Sequence, residues 1–228
     1  MPPRPPTLRA ALGTLVRHHG DGEDAAPPTN DPFELVLFEN VAYLAKPARR
    51  LEAWSALVER VGVTPDAILA APLAKLRRIT AHGILKDTFA EKLRDCARIA
   101  RDRADGDLAA ALDVPVPAAK KLLRAFPGIG EPGAEKILLF SGRHPFVALE
   151  SNGLRVLQRL GLVPADLPYA KAYAAAREIT EKLPDDFPTR RRAHLVLREH
   201  GRVLCRNTRP LCVECPLRKS CPSSDAEG

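Results

Sequence analysis

The chain has 228 residues, enough to bury a substantial core as one large domain or two small ones. Its 35 Lys and Arg residues against 28 Asp and Glu residues give a net charge of +7, which suits either a nucleic acid or an acidic membrane surface. The N-terminus has no apolar segment of signal-peptide length, and no stretch approaches about 18 uncharged apolar residues. The sequence therefore predicts neither export nor a membrane span, but a cytoplasmic protein.

Apolar residues recur mostly at helical spacing, and alternating β-branched runs are few, so the predicted fold is all-α. Residues 1–6 form a Pro-rich tail, and Thr7 is placed to cap a first helix that reaches about His18. Residues 20–30 read as a polar linker. No internal repeat of fixed period is found.

The second predicted helix, residues 32–45, has Asp31 as its N-cap and Glu34 completing a capping box. It is apolar almost all round, which predicts a buried central helix. Further helices are predicted at 48–61, 65–70, 72–79, 87–103, 107–113, 117–126, 132–141, 152–160, 168–182 and 188–203.

Four of the five cysteines lie within 17 residues near the C-terminus: Cys205, Cys212, Cys215 and Cys221. In a reducing cytosol such crowding indicates metal ligands rather than a disulfide framework. A zinc site would also take four thiolates, although structural zinc sites typically pair two Cys-x-x-Cys units across a longer loop. Cys96 stands alone in a helical segment and is interpreted as a small buried hydrophobe.

A glycine-containing turn joins two predicted helices within residues 122–140. At its centre, Gly128 and Gly130 allow a tight turn and a close approach to a ligand, while Ile129 would fill the gap between the helices. Backbone N–H groups at such a turn, followed by a helix N-terminus, can bind a phosphate oxygen. An ordinary helix–turn–helix corner is the alternative interpretation.

The segment resembles the helix-hairpin-helix of base-excision DNA glycosylases of the endonuclease III type. The resemblance continues in order through residues 149–162 to the four cysteines, and it covers about residues 31–221. Their spacing, Cys-x6-Cys-x2-Cys-x5-Cys, is the one this family uses for a [4Fe–4S] cluster. The resemblance implies a monomeric, nucleoid-associated enzyme that acts on double-stranded DNA containing a damaged or mismatched base.

The implied architecture is a two-domain helical glycosylase fold. Residues 32–145 would form a central domain that includes the hairpin at 117–141. Residues 1–31 would pack with a C-terminal domain, residues 146–228, which carries the cluster loop at 205–221. The active-site cleft would lie between the two domains.

Family members have a catalytic aspartate that stabilises the cationic sugar formed as the base departs, and Glu150 occupies this position here. Glutamate is chemically competent, because the role needs an ionised carboxylate near the anomeric carbon. Its extra methylene moves the charge by about 1.5 Å. A misplacement of ~1 Å can cost on the order of a hundredfold in rate. A capping carboxylate at a helix start is the alternative role for Glu150.

Members that also cut the strand use a lysine two residues after the second hairpin glycine, and here that residue is Pro132. Without an amine at this position, the resemblance implies a monofunctional enzyme in which water attacks the sugar. Lys136 lies one turn later on the same helix and could substitute, or could be a solvated surface lysine.

Two residues resemble the adenine-glycosylase branch of the family. Glu39 interrupts an apolar helix and aligns with that branch's general acid; the alternative is a buried glutamate paired with Arg49 or Arg50. Asn152 matches the asparagine that could orient the carboxylate or a water, or it could serve as an N-cap.

Other features depart from that branch. Its Gln-Gln-Thr run is replaced here by Tyr43-Leu44-Ala45, and a C-terminal domain that reads oxidised guanine is not expected, so adenine specificity is not inferred. Tyr43 could stack on or wedge beside a base, or pack in the core.

Basic residues flank the proposed site in two sets. The first is Lys120, Lys121, Arg124 and Lys136; the second is Arg190, Arg191, Arg192, Arg198, Arg202, Arg206 and Arg209. Together they predict a track for the DNA backbone, with Arg206 and Arg209 touching phosphate. Glu131 in the hairpin opposes this charge.

Three functions are thus considered. The preferred one is a monofunctional glycosylase that hydrolyses an N-glycosidic bond. The alternatives are a glycosylase and lyase that uses another amine, and a protein that binds damaged DNA without catalysis.

Overall fold

The computed structural model describes residues 4–224. In this range the chain forms twelve α-helices: α1 (Leu8–His19), α2 (Pro32–Asn40), α3 (Pro47–Arg60), α4 (Pro65–Ala70), α5 (Leu73–Thr80), α6 (Lys86–Ala104), α7 (Leu108–Ala111), α8 (Val116–Leu123), α9 (Glu131–Phe140), α10 (Ser151–Arg159), α11 (Tyr169–Thr180) and α12 (Phe187–Val203). Residues 4–224 contain no strand, so the all-α prediction is confirmed. None of these helices has the length and apolar character needed to cross a bilayer.

The start of α2 follows the sequence prediction only in part. The Asp31 side chain accepts the Glu34 N–H at 2.9 Å, as an N-cap should. The Glu34 carboxylate does not complete a capping box, because it instead accepts the Thr29 hydroxyl at 2.6 Å. Helix α2 is buried as predicted.

The end of α2 was predicted at residue 45 but lies at Asn40. The Asn40 amide donates to the carbonyl of Val36 one turn back and to that of Pro127, each at 3.0 Å. Such a side chain competes with the helical backbone and favours a helix end. Leu44 then takes a left-handed conformation, with a φ of 52°, which a continuing helix cannot accommodate.

The chain divides into two compact units. The first contains the residues up to Ala26 and those from Pro145 onward, and the second contains Pro27–His144. Buried side chains from α1, α10, α11 and α12 form the core of the first unit, among them Leu15, Leu157, Tyr173 and Leu197. Cys96 is fully buried in the second unit, as predicted, and burial raises the pKa of its thiol to about 12.

Helices α10 and α12 of the first unit approach each other closely at Gly201. A Cβ added to Gly201 would lie 2.4 Å from the carbonyl oxygen of Asn152, far inside van der Waals contact. The crossing therefore requires a residue without a side chain. It places the first turn of α10 directly against α12.

The hairpin of the second unit joins α8 to α9. Gly128 has a φ of 76°, Ile129 is buried, and Gly130 is the N-cap of α9. A Cβ on Gly128 would lie 2.9 Å from the Asn40 amide oxygen. Asn40 therefore supports the turn from below and also limits the residue that can occupy it.

Replacing Gly128 with Ala should lower the free energy of unfolding more than replacing Gly142 with Ala. Both glycines are left-handed, which costs alanine about 1–2 kcal/mol, but a Cβ on Gly142 meets nothing within 4 Å. At Gly128 the displaced Asn40 hydrogen bonds should add roughly 1–3 kcal/mol. Urea denaturation of the two variants measures the difference, and equal losses would contradict the supporting role of Asn40.

Candidate functional site

Glu150 stands immediately before α10 in an extended conformation. It occupies the N-cap position, but its side chain makes no capping hydrogen bond. Its Oε1 is buried and has no hydrogen-bond partner among residues 4–224. The alternative role of Glu150 as a capping carboxylate is thus not realised. A buried, unsatisfied carboxylate oxygen is costly and calls for a functional explanation.

The charge of Glu150 acts on two neighbours in the first unit. The pKa of Tyr169 is raised, chiefly by partial burial and then by the negative charge of Glu150. Burial lowers the pKa of the Arg155 guanidinium, and Glu150 opposes this effect. The carboxylate therefore lies within electrostatic reach of a phenol and a guanidinium.

Asn152 is oriented by Arg155 and is not a helix cap. One Arg155 nitrogen donates to the Asn152 amide oxygen at 2.8 Å and to the Gly201 carbonyl at 2.7 Å. The Arg155 Nε donates to the carbonyl of Cys205 at 2.9 Å. Because its oxygen is committed to Arg155, Asn152 has its NH₂ group as the donor for any further partner.

The four predicted metal ligands come together. Cys205, Cys212, Cys215 and Cys221 line one cavity, whose wall also includes apolar side chains such as Leu204. All four are free thiols. In residues 4–224, no three side chains of Cys, His, Asp or Glu meet in an arrangement suited to one metal ion.

The cavity favours a cationic occupant. Burial raises the pKa of the Cys215 and Cys221 thiols, so thiolates there need compensating positive charge. Arg159 contributes part of it, because its Nη1 lies 3.6 Å from Cys205 Sγ. The same guanidinium donates to the carbonyls of Arg206 and Asn207, which fixes the loop after the first cysteine.

Glu131, the acidic residue of the hairpin, is paired with two basic side chains. Lys120 pairs with Glu131 and donates to Glu135 at 2.9 Å, and Arg124 lies 3.4 Å from Glu131. Glu131 therefore does not present an uncompensated charge to a phosphate. A phosphate contact by Lys120, as predicted, would have to compete with both carboxylates.

Glu39 pairs with Lys136. Lys136 Nζ donates to Glu39 Oε1 at 2.6 Å, and the two side chains are 14% and 23% exposed, respectively. Lys136 is therefore not a solvated surface lysine. The pair joins α2 to α9, the helix that begins after the hairpin turn.

One arginine of the second predicted basic set, Arg190, is buried. Arg190 is only 6% exposed and donates to the carbonyls of Pro145 and Pro184 at 2.9 and 3.1 Å. Its inclusion in a DNA track was wrong, because its guanidinium is buried and donates to main-chain carbonyls of the same unit. Arg206 and Arg209 are exposed, as their predicted role requires.

Two exposed leucines form part of the surface of the second unit and were not singled out by sequence. Leu44 and Leu85 are 69% and 59% exposed and have φ values of 52° and 55°. The Ile84 N–H donates to the Tyr43 carbonyl at 3.1 Å, which joins their loops. Tyr43 itself stacks on Phe89, with ring centroids 4.6 Å apart. Exposed apolar residues with a strained backbone are unfavourable for folding, which makes these two joined loops a candidate binding surface.

No protein-family model matches the chain. Over 218 residues it is 25% identical to the thymine-DNA glycosylase of Aeropyrum pernix, covering 94% of this chain and 92% of that protein. It is also 25% identical over 196 residues to the endonuclease III of Sulfolobus acidocaldarius, covering 85% and 82%. A solved structure of a trapped endonuclease III–DNA covalent intermediate matches with a TM-score of 0.78 at 21% identity, over 96% of both chains.

The helical fold and the glycine hairpin are those of a helix-hairpin-helix protein. The chain is a homologue of proteins named endonuclease III and thymine-DNA glycosylase.

Replacing Arg155 with Lys should lower the free energy of unfolding by about 1–3 kcal/mol, because one ammonium cannot reach acceptors on Asn152, Gly201 and Cys205 together. Arg202→Lys is the matched control. Arg202 is half-exposed and pairs with Glu199, so its change should cost less than about 1 kcal/mol. Chemical denaturation measures both variants, and similar small losses would contradict the role given to Arg155.

Proposed function

We propose that the protein is a DNA N-glycosylase of base-excision repair that hydrolyses the glycosidic bond of a damaged or mismatched base. The observation that carries this proposal is Glu150, whose buried oxygen has no partner in the described chain. Homology to a thymine-DNA glycosylase, over 92% of that protein, and to an endonuclease III, over 82% of it, supports the proposal. The base would be taken out of the duplex before it is cleaved.

Glu150 would act on the sugar. As the base departs, positive charge develops at the anomeric carbon, and a fixed carboxylate stabilises that charge more than it stabilises the neutral ground state. The unsatisfied oxygen is preorganised for this, because it gives up no protein hydrogen bond when the charge appears. Asn152, held by Arg155, could direct a water or the carboxylate through its NH₂ group.

Double-stranded DNA is the proposed partner. The net charge of +7 favours association with phosphates, and Arg206 and Arg209 offer exposed guanidinium groups next to the cysteines. The turn from Gly128 to Gly130, followed by the N-terminus of α9, is suited to one phosphate. Leu44 and Leu85 could insert between bases, since apolar wedges of this kind unstack a duplex.

A [4Fe–4S] cluster is the proposed cofactor. The donor set fits, because four free cysteines line one cavity and Arg159 directs positive charge at Cys205 Sγ. When bound, the cluster would brace the loop that carries Arg206 and Arg209.

Hydrolysis by water is the preferred mechanism. The position of the strand-cutting lysine holds Pro132, which lies in the first turn of α9 and carries no amine. A monofunctional enzyme would release the base and leave the strand intact until alkali is added.

The Glu39–Lys136 pair favours a second candidate, a glycosylase with lyase activity. Transfer of one proton from the Lys136 ammonium to the Glu39 carboxylate would produce a neutral amine and a carboxylic acid together. The amine would add to C1′ of an abasic sugar, water would leave, and an imine would form. The Glu39 acid would give its proton to the C1′ hydroxyl that leaves as water. Its carboxylate would then take a C2′ proton as the 3′ phosphate is expelled, which cuts the strand.

Glu150→Gln should reduce single-turnover base release by on the order of a hundredfold or more, because the amide carries no negative charge. Binding to the lesion duplex should persist, as measured by fluorescence anisotropy. Glu150→Asp should retain measurable turnover, and Glu178→Gln, an exposed position on α11, should match the parent protein. A panel of damaged and mismatched duplexes, with and without alkali, identifies the substrate. Unchanged turnover of Glu150→Gln would refute this role.

Borohydride trapping on an abasic duplex decides between the two candidates. If Lys136 is the nucleophile, the parent protein should form a covalent adduct and Lys136→Arg should not, because a guanidinium keeps the ion pair with Glu39 but lacks a nucleophilic amine. Lys121→Arg, at an exposed position on α8, is the control and should still be trapped. Absence of an adduct with the parent protein favours the monofunctional enzyme.

A further inference from the structure

His200 places both ring nitrogens against other side chains of the first unit. It lies on α12 and is only 1% exposed. Its Nε2 lies 3.6 Å from Cys215 Sγ, and its Nδ1 lies 3.1 Å from Nε2 of His19 on α1. The two imidazole rings meet at 61° with centroids 5.3 Å apart. A continuous chain of side chains therefore runs from α1 to one proposed cluster ligand.

The chemistry of a ligated cysteine fixes the direction of these contacts. A cysteine bound to iron is a thiolate, and its sulfur can only accept a hydrogen bond. The nitrogen that faces it must therefore carry the proton, so His200 is an Nε2–H donor. In that tautomer Nδ1 is an acceptor, and the His19 Nε2–H is placed to donate to it.

We propose that His200 donates its Nε2–H to Cys215 Sγ and thereby sets the reduction potential of the [4Fe–4S] cluster, with His19 as a positioning residue that holds the ring in this tautomer. The inference rests on the proposed cofactor. A hydrogen bond withdraws negative charge from the sulfur, and this stabilises the reduced, more negative cluster more than the oxidised one. The potential is therefore higher with the bond than without it.

The His19–His200 pair gives a cleaner test of hydrogen bonding to the cluster than the contact of Arg159 with Cys205 Sγ. Arg159 approaches Cys205 Sγ but also holds the carbonyls of Arg206 and Asn207, so its loss changes the loop and the charge together. His19 can be changed without touching any cysteine, because its contact is with the far side of the His200 ring.

The experiment measures the midpoint potential of the anaerobically purified, full-length protein by spectroelectrochemistry. His200→Leu should lower the potential until the oxidised-to-reduced ratio at a fixed potential rises about tenfold, which is about 59 mV for a one-electron couple. His200→Gln can keep a donor near Nε2 and should stay close to the parent. His19→Leu should lower the potential by a smaller amount, and His19→Gln should restore it. His82→Leu, in the second unit, should leave it unchanged.

A second measurement covers the case in which His200→Leu does not retain its cluster. Pulsed electron paramagnetic resonance of the reduced parent protein should detect a weak nitrogen coupling and an exchangeable proton at the cluster, and His200→Gln should alter the nitrogen signal. Iron and sulfide far below four each per chain in the parent would refute the cofactor and this inference together, while base release could persist. A loaded cluster with no such couplings, or with equal potentials in His19→Leu, His82→Leu and the parent, would refute the inference alone.

Discussion

The first unit depends on the guanidinium of Arg155 at the crossing of α10 and α12. Gly201 allows the two helices to approach closely. The carbonyls of Gly201 and Cys205, at the end of α12 and just beyond it, need hydrogen-bond donors. Arg155 supplies them to Gly201 and Cys205, and it holds Asn152 with the same group. One side chain thus connects the residue beside Glu150, the end of α12 and the start of the cysteine loop. Arg159, one turn later, extends the connection to the carbonyls that follow Cys205.

In the second unit, the neutral side chain of Asn40 supports the main chain as Arg155 does in the first. Asn40 ends α2 and donates to the Pro127 carbonyl, so a buried amide supports the hairpin turn from beneath. Next to it, Glu39 carries a charge into the same region and is balanced by Lys136. The ligand-facing features of each unit are therefore supported by buried polar groups. Their geometry is fixed by hydrogen bonds rather than by apolar packing alone, which gives direction as well as proximity.

Local signals made much of this structure predictable. Asp31 marks the start of α2, the apolar periodicity marks the helices, and the cysteine spacing brings four thiols to one cavity. What the sequence did not reveal depends on distant partners or on backbone conformation. Lys136 lies 97 residues from Glu39, so their pairing leaves no local pattern. The sequence does not distinguish the buried Arg190 from an exposed arginine, because the carbonyls that it bonds come together only in the folded chain. The left-handed φ of Leu44 likewise has no signature in residue type.

The Glu39–Lys136 pair also constrains how the sequence can diverge. Loss of either partner alone would remove this ion pair and leave the other charge largely out of water, and this is more harmful than replacement of both. Residues 39 and 136 should therefore be replaced together during evolution, either by another ion pair or by two apolar residues. Lineages that retain a lysine on α9 would be expected to retain an acid on α2, whatever base each one excises.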